Sequence, residues 1–178
     1  MIDKAQLVSR INSELRSIPD FPSPGIIFKD ITPLIKDKET FALIIKYFAE
    51  KYADANIDYI VGVDARGFIF GAALAYELGI GFVPVRKAGK LPYKKIATSY
   101  ELEYGTATVE MHEDALDSGD KIVLIDDLLA TGGSLAAAVE LLEQLKADIF
   151  AIETIVELGF LDGRKKLEGY DVNSLVIE

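Results

Sequence analysis

The sequence predicts an α/β fold, with a central, mainly parallel, twisted sheet flanked by helices. Two strand–turn–helix units indicate this fold: apolar runs at 59–63 and 122–125 lead into helical patterns at 68–78 and 135–146. A third long apolar run, at 149–156, follows the second helix. Strands that alternate with helices pair in parallel through right-handed crossovers, so the three runs are expected to lie in one sheet.

The length and composition of the chain limit the class of protein. At 178 residues it fits a single domain, 1–178, that can bury a sizeable core. Its 29 acidic and 19 basic residues give a net charge of −10, which argues against sequence-independent binding to nucleic acid. No apolar stretch approaches the roughly 20 residues of a membrane span. With no cysteine for disulfides or thiolate sites, a cytoplasmic protein that binds neither nucleic acid nor membranes is expected.

The N-terminal part is predicted to hold two helices separated by a rigid loop. Apolar residues at helical spacing predict a helix over 1–16, and a capped amphipathic helix is predicted over 37–52. Four prolines between Ile18 and Leu34 exclude a long helix there. An apolar, rigid loop of this kind is expected to cover something.

The middle of the chain concentrates positive charge. After a predicted strand at 80–85, the segment from Arg86 to Lys95 holds five cations and no acid, which favours a local anion site in an otherwise acidic protein. From Arg86 to Gly105 no stable periodicity is visible, and a loop of about 20 residues in a compact domain is typical of a lid. Further strands are predicted at 106–111 and 174–177. The sole histidine, His112, has no second nitrogen or sulfur ligand nearby and is interpreted as a surface turn residue.

The strongest signal for a site is the stretch KIVLIDDLLATGGS at 121–134. Its apolar strand is predicted to end at Asp126 and Asp127, and the turn from Thr131 to Ser134 begins the next helix. In open α/β folds ligands usually lie at this carboxyl edge of the sheet. Backbone N–H groups of a glycine turn and a helix N-terminus favour a phosphate there, and ribose 5-phosphate would also offer hydroxyls to the acids. The alternative is a tight turn beside solvated charges.

The turn at 64–67, Asp-Ala-Arg-Gly, follows the other apolar strand and predicts a second anion site. Arg66 can donate through its planar fork to a phosphate or to a neighbouring group. The alternative for Arg66 is a plain surface charge.

Four motifs in order resemble those of adenine phosphoribosyltransferases, which belong to the type I phosphoribosyltransferases. They are FPSPGIIFKDITPL at 21–34, the Asp-Ala-Arg-Gly turn, SYELEYG at 99–105, and the apolar run with paired acids and ATGGS. The resemblance covers most of residues 18–170. The chain departs from the family pattern mainly at Lys94-Lys95 and in the C-terminal tail.

This resemblance implies a fold with a small N-terminal hood, within 1–34, and a flexible catalytic loop. It implies that Phe28 stacks on a purine and that the backbone near Ile27 binds the purine's Watson–Crick edge. Glu103 would act as acid/base on the purine imidazole, and Tyr104 would cover the reacting centre. On chemistry alone Glu101 and Glu110 remain open as alternatives to Glu103.

The resemblance also assigns the donor site. Arg66 and the turn around it would receive pyrophosphate, with a cis peptide bond near Asp64-Ala65. Arg86, Lys87 and Lys90 would hold pyrophosphate, across a dimer interface. The remaining donor-binding residues follow the second strand: Asp126, which would also act in catalysis, Asp127, Leu128, Ala130, Thr131, Gly132, Gly133 and Ser134.

The implied function is purine salvage: transfer of the 5-phosphoribosyl group from phosphoribosyl pyrophosphate to adenine, giving AMP and pyrophosphate. Mg²⁺ would be held mainly through phosphoribosyl pyrophosphate, with no direct protein ligand, and the enzyme would be a homodimer. Two alternatives stay open: a phosphoribosyltransferase for a 6-oxopurine such as xanthine or hypoxanthine, and a non-catalytic nucleotide sensor on the same fold.

Overall fold

The computed structural model describes residues 2–101 and 105–178, which form two compact units that meet in sequence between Lys51 and Tyr52. Within these described ranges, no helix is both long and apolar enough to cross a membrane. The expectation of one domain over 1–178 stays a prediction.

The first unit contains helices and a small β-ribbon. Its elements are α1 (Lys4–Glu14), β1 (Arg16–Pro19), β2 (Ile27–Asp30), α2 (Thr32–Lys36) and α3 (Lys38–Tyr52, whose last residue begins the second unit). The Asp3 carboxylate accepts from Ala5 N at 2.9 Å and so caps α1. Asp37 accepts from Thr40 N at 2.8 Å and does the same for α3. Both long helices therefore begin where a capping acid precedes an amphipathic pattern.

The predicted loop at 18–34 is more regular than the sequence indicated. β1 and β2 pair antiparallel, with Pro19 opposite Ile27, and α2 follows with a proline in its first turn. Between the strands, the Asp20 carboxylate accepts from Gly25 N at 2.7 Å. The prolines do exclude a long helix, but they are compatible with short strands and a helix start.

The second unit is built on one sheet. Its strands are β3 (Tyr59–Val63), β4 (Gly81–Lys87), β5 (Lys95–Glu101), β6 (Thr106–His112), β7 (Lys121–Leu129), β8 (Asp148–Glu157) and β9 (Val172–Ile177). Its helices are α4 (Gly67–Leu78) and α5 (Gly133–Gln144), and two short 3₁₀ turns span Gly159–Leu161 and Gly163–Leu167.

The predicted α/β fold is confirmed by the strand order, β5-β6-β4-β3-β7-β8-β9. The pairs from β4 through β3, β7 and β8 to β9 are parallel, whereas β5 and β6 add an antiparallel edge. The central strands are buried on both faces, which explains their continuous apolar runs. Val61, Leu124 and Ile152 are each completely buried, and α5 packs its leucines against them.

Three local predictions in this unit are wrong. The segment 86–105 is not irregular throughout, because β5 pairs with β6 from Lys95 opposite His112 to Glu101 opposite Thr106. β7 does not end at Asp126 and Asp127 but continues past them to Leu129. His112 is the half-buried last residue of β6 rather than a surface turn residue.

Burial in the central strand predicts a large cost for truncation there. Leu124→Ala should lower the free energy of unfolding by about 2–5 kcal/mol, because it leaves a cavity in the close-packed core. Ile177→Ala, at a side chain 63% exposed, should change it by no more than about 0.5 kcal/mol. Urea denaturation of both variants checks this. Equal effects would contradict the assigned core.

Candidate active site

A cleft of about 470 Å³ lies at the carboxyl edge of the parallel strands. The end of β7, the turn after it and the start of α5 supply most of its wall, the end of β3 and its following turn supply a second part, and β4 and β5 add one residue each. Its lining residues are Val63, Asp64, Ala65, Arg66, Lys87, Tyr100, Asp126, Asp127, Leu128, Leu129, Ala130, Thr131, Gly132, Gly133, Ser134 and Leu135. The two predicted anion turns therefore face the same cleft.

The phosphate loop, residues 130–134, comprises the turn after β7 and the first two residues of α5 and forms one end of the cleft. Gly132 has φ +78°, a left-handed conformation that side chains rarely adopt, and it precedes the first turn of α5. Its carbonyl accepts from Ala136 N at 2.9 Å, so the helix ladder starts there. The first N–H groups of a helix have no intrahelical partner, and the helix dipole adds positive potential at this end. This end of the cleft can bind a phosphate.

Two acids lie beside that loop. Asp126 is 8% exposed and Asp127 is 3% exposed. Asp127 N donates to Asp126 Oδ1 at 2.9 Å, and Arg66 Nε lies 2.8 Å from Asp127 Oδ2. Burial raises the pKa of Asp126 well above its ordinary value, and the charge of Asp127 adds to this. Burial also raises the pKa of Asp127, with Arg66 opposing it.

The close approach of α4 to β7 places this acid pair. A Cβ on Gly67 would lie 2.8 Å from Ile125 O and 3.0 Å from Asp126 Oδ1, so only glycine fits at the start of α4. Because α4 begins immediately after the turn at 64–66, this contact also brings Arg66 to the acids. A ligand with hydroxyl groups or a bound cation would match two such carboxylates.

The turn after β3 is held by its own ion pair. The Asp64-Ala65 peptide bond is cis, as the resemblance implied. Asp64 Oδ2 accepts from Arg86 Nε at 2.9 Å and from Lys87 N at 3.3 Å. Burial alone would raise the pKa of Asp64, but hydrogen bonds from Arg86 and Lys87 lower it below its usual value. Asp64 is therefore a carboxylate that fixes the turn.

The structure brings together most of the predicted donor-binding residues, but not all. Arg66, Lys87 and the residues at 126–134 line the cleft. Arg86 instead pairs with Asp64, and its guanidinium carbon lies 5.6 Å from the ring centre of Phe68. Lys90 is exposed, and neither it nor Arg86 is among the described residues that line the cleft.

Of the four residues predicted to bind or cover the purine, two lie in the first unit and two fall outside the described residues. Ile27 and Phe28 lie on β2 of the first unit, where Ile27 is 58% exposed and the Phe28 ring meets Phe21 edge-on at 5.2 Å. Glu103 and Tyr104 fall outside the described residues. Their roles stay predictions.

The two alternative acids differ in environment. Glu110 Oε2 accepts from Lys95 Nζ at 2.9 Å and from Gly89 N at 3.0 Å, and the Lys95 hydrogen bond lowers its pKa. Glu110 therefore ties the basic segment to β6. Glu101 is exposed at the end of β5.

Tyr100 is a cleft residue that the sequence reasoning missed. It lies on β5, and a Cβ on Gly133 would be 2.9 Å from its Cδ2 atom, so the ring packs directly on the segment at 130–134. Burial raises the pKa of Tyr100, and the charge of Asp126 adds to this. Ile96, Thr98 and Tyr100 alternate along β5 and share its half-buried face. This alternation was the available signal in the sequence, but the polar residues among them concealed it.

Comparisons with known proteins point to one family. The model of the phosphoribosyl transferase domain matches residues 34–178. The chain is 58% identical over 164 residues to the adenine phosphoribosyltransferase of Halothermothrix orenii, covering 92% of this chain and 96% of that one. A crystal structure of the enzyme from Thermoanaerobacter pseudethanolicus superimposes with a TM-score of 0.92 at 50% identity, covering 96% and 99%.

A third relative was solved with ligands. The adenine phosphoribosyltransferase of Saccharomyces cerevisiae, complexed with adenine and a dideoxy-imino-altritol 1,6-bisphosphate, gives a TM-score of 0.91 at 43% identity, covering 96% and 99% of the two chains.

The buried acids predict a stability gain on neutralisation. Asp126→Asn keeps the Oδ1 acceptor but removes the charge. A raised pKa means that the folded chain holds its proton to higher pH than the unfolded chain, so the destabilisation grows as pH rises above the ordinary carboxyl value. The variant should therefore be more stable than wild type at pH 8.

Chemical denaturation at several pH values measures this gain, which should shrink toward pH 4. Glu77→Gln, at an exposed position on α4, is the control and should show little gain at any pH. A gain for Asp126→Asn that did not change with pH would contradict the electrostatic origin.

Proposed function

Since this chain belongs to the adenine phosphoribosyltransferase family, we propose that its cleft is where the 5-phosphoribosyl group passes from phosphoribosyl pyrophosphate to adenine, giving AMP and pyrophosphate. The enzyme acts in purine salvage. One observation supports the site above all: a phosphate-binding loop, a buried acid pair and Arg66 face a single cleft at the carboxyl edge of the sheet.

The 5-phosphate of the donor binds at residues 130–134 in this proposal. Backbone N–H groups of the loop and the first turn of α5 donate to its oxygens, and Thr131 and Ser134 add hydroxyls. The left-handed backbone at Gly132 supports this, because it turns the chain sharply between β7 and the helix.

The acid pair acts on the ribose. Asp126 and Asp127 accept from its 2′ and 3′ hydroxyls, and their negative charge stabilises the positive charge that develops at C1 as the bond to pyrophosphate breaks. This resembles the oxocarbenium-like transition state of glycoside cleavage. Adenine N9 then attacks C1 from the opposite face. Charges held in a buried site stabilise such a centre more strongly than solvated charges would.

Pyrophosphate binds at the other end of the cleft. Arg66 and Lys87 supply positive charge there, and the backbone of the turn at 64–66 adds donors. Arg86 and Lys90 remain proposed pyrophosphate ligands, contributed across a dimer interface. In the described chain Arg86 also fixes the turn through Asp64.

The base-binding roles are carried over from the motifs. Phe28 stacks on adenine, since an aromatic face contributes about 1–3 kcal/mol to a stacked base. The backbone near Ile27 binds its Watson–Crick edge, Glu103 handles the imidazole proton, and Tyr104 helps to exclude water from the reacting centre.

Mg²⁺ fits this cleft as a substrate-borne ion. Among the described residues no group of three or more acids or histidines is placed to hold a metal, but Asp126 and Asp127 offer hard oxygen donors near the ribose. An ion that keeps several waters would be held mainly by phosphate and ribose oxygens. Bound there, it would neutralise charge on the departing pyrophosphate.

We also propose that the enzyme is a homodimer that works in the cytoplasm. One helix face supports the dimer: Ile69, Ala72, Ala73 and Tyr76 follow helical spacing along α4 and are exposed or half-exposed, with Tyr76 87% exposed. An apolar stripe of this kind is typical of a protein–protein contact.

Removal of Glu103 tests the catalytic assignment. Glu103→Ala should reduce AMP formation from adenine, phosphoribosyl pyrophosphate and Mg²⁺ by about 10²–10⁴-fold, the usual contribution of a general acid or base, while donor binding is retained. Glu101→Ala is the matched control and should remain close to wild type. Turnover of Glu103→Ala near the wild-type rate would refute the role, and preference for a 6-oxopurine in a panel of bases would reject adenine.

Charge placed on the α4 stripe tests the dimer. Tyr76→Lys should shift sedimentation from dimer toward monomer, because it buries an unpaired cation in the interface. Glu140→Lys, at an exposed position on the other long helix of this unit, α5, should leave the dimer intact. If Tyr76→Lys sediments as wild type does, the dimer does not use this face.

A further inference from the structure

We propose that Arg164 and Glu157 are positioning residues for the phosphate loop at 130–134, and that they act through the backbone of Gly163. The inference rests on the proposed function, in that this loop is taken to hold the 5-phosphate. Neither side chain lines the cleft.

The contact between the loop and the chain after β8 is made by two glycine backbones. A Cβ on Gly132 would lie 2.3 Å from Gly163 O, and a Cβ on Gly163 would lie 2.1 Å from Ala130 O and 2.8 Å from Gly132 N. Real Cβ atoms do not approach other atoms so closely, so neither position accepts a side chain without a shift of backbone. Gly163 therefore packs directly against the backbone of the loop at Ala130 and Gly132.

The Arg164 side chain fixes Gly163 to the end of the sheet. Its Nε donates to Glu157 Oε1 at 3.0 Å, its Nη2 donates to Glu157 Oε2, and its Nη1 donates to Val172 O at 2.5 Å. Glu157, 5% exposed, also accepts from Ser174 Oγ at 2.6 Å. This planar, two-point pair joins the 3₁₀ turn at Gly163–Leu167 to β8 and β9.

Few other described interactions hold Gly163 in place beside the loop. Leu158 N donates to Leu129 O at 2.9 Å, and this bond joins the chain just after β8 to the last residue of β7. Between that bond and Gly163, Gly159 N donates to Glu178 O at 2.8 Å, the other backbone bonds described there are local turn bonds, and Asp162 has φ +55°. Leu167, buried against α5, anchors the far end of the turn. Arg164 is thus the polar anchor next to the glycine contact.

A phosphate site depends on small displacements. Several N–H groups must converge on the same oxygens, and a binding constellation has to be held to about 0.5 Å to work. Tyr100 packs on Gly133 and Gly163 packs on Gly132, so a shift at Gly163 moves the loop. Such a shift should weaken ligands that carry the 5-phosphate and should not affect pyrophosphate, whose proposed ligands are Arg66 and Lys87.

Arg164→Lys and Glu157→Gln test the proposal. The first removes the planar fork and keeps the charge, the second removes the charge and keeps the size, and both abolish the charged two-point pair. Lys165→Met is the matched control, because the Lys165 side chain is 70% exposed and its ammonium lies 2.6 Å from the exposed Asp162 Oδ2. Calorimetry should show ribose 5-phosphate bound about 10-fold to 100-fold more weakly by both test variants, on the scale of a misplaced binding group. Pyrophosphate affinity should stay within about 2-fold of wild type.

Kinetics give an independent measurement. KM for phosphoribosyl pyrophosphate should rise in both variants while KM for adenine stays near wild type. Gly163→Ala should give the same pattern through direct displacement of the loop. Equal losses for ribose 5-phosphate and pyrophosphate would indicate general destabilisation and would overturn the positioning role.

Ser134→Ala and Thr131→Val separate this inference from the proposed function. If they weaken ribose 5-phosphate but the Arg164 and Glu157 variants do not, the positioning role is wrong and the phosphate site stands. If none of these variants weakens ribose 5-phosphate, the phosphate site itself is wrong and the inference falls with it.

Discussion

Burial of two adjacent carboxylates at the end of β7 is the constraint on which the site depends. Two negative charges almost without solvent oppose each other, and among the interactions described the Arg66 guanidinium and the Asp127 backbone N–H group offset them. The fold tolerates this arrangement because β7 is held by paired strands on both sides and because Gly67 lets α4 approach it. The cost to stability is concentrated where the proposed reaction needs negative charge, next to the sugar carbon that would become positive.

The loop next to the two acids carries positive electrostatic potential. The N-terminus of α5 and the backbone around Gly132 offer donors and positive potential a few residues from the acids. A ligand with a phosphate at one end and sugar hydroxyls beside it matches both the hydrogen-bond donors of the loop and the carboxylates of the acid pair. Neither half would specify such a ligand alone, because helix N-termini bind many anions and buried acids bind many cations. The combination in one cleft supports a sugar phosphate, in agreement with the family to which the chain belongs.

Much of this arrangement could be predicted from the sequence, because its signals are local. Buried parallel strands leave continuous apolar runs, and the acids and glycines follow β7 directly in the chain. Of the antiparallel edge, β6 was predicted at 106–111, but β5 was missed because it alternates polar residues with few apolar ones, and Tyr100 was missed with it. The contact of Gly163 with Gly132 joins positions 31 residues apart and leaves no periodic signal. Arg164 looks like an ordinary surface cation until its partner Glu157 is seen to be buried.

The most direct test of the central claim is a crystal structure of the protein with AMP. The phosphate should accept hydrogen bonds from the backbone of the loop at 130–134, with the ribose hydroxyls within hydrogen-bonding distance of Asp126 and Asp127. A phosphate bound elsewhere, or a ribose turned away from both acids, would contradict the assignment.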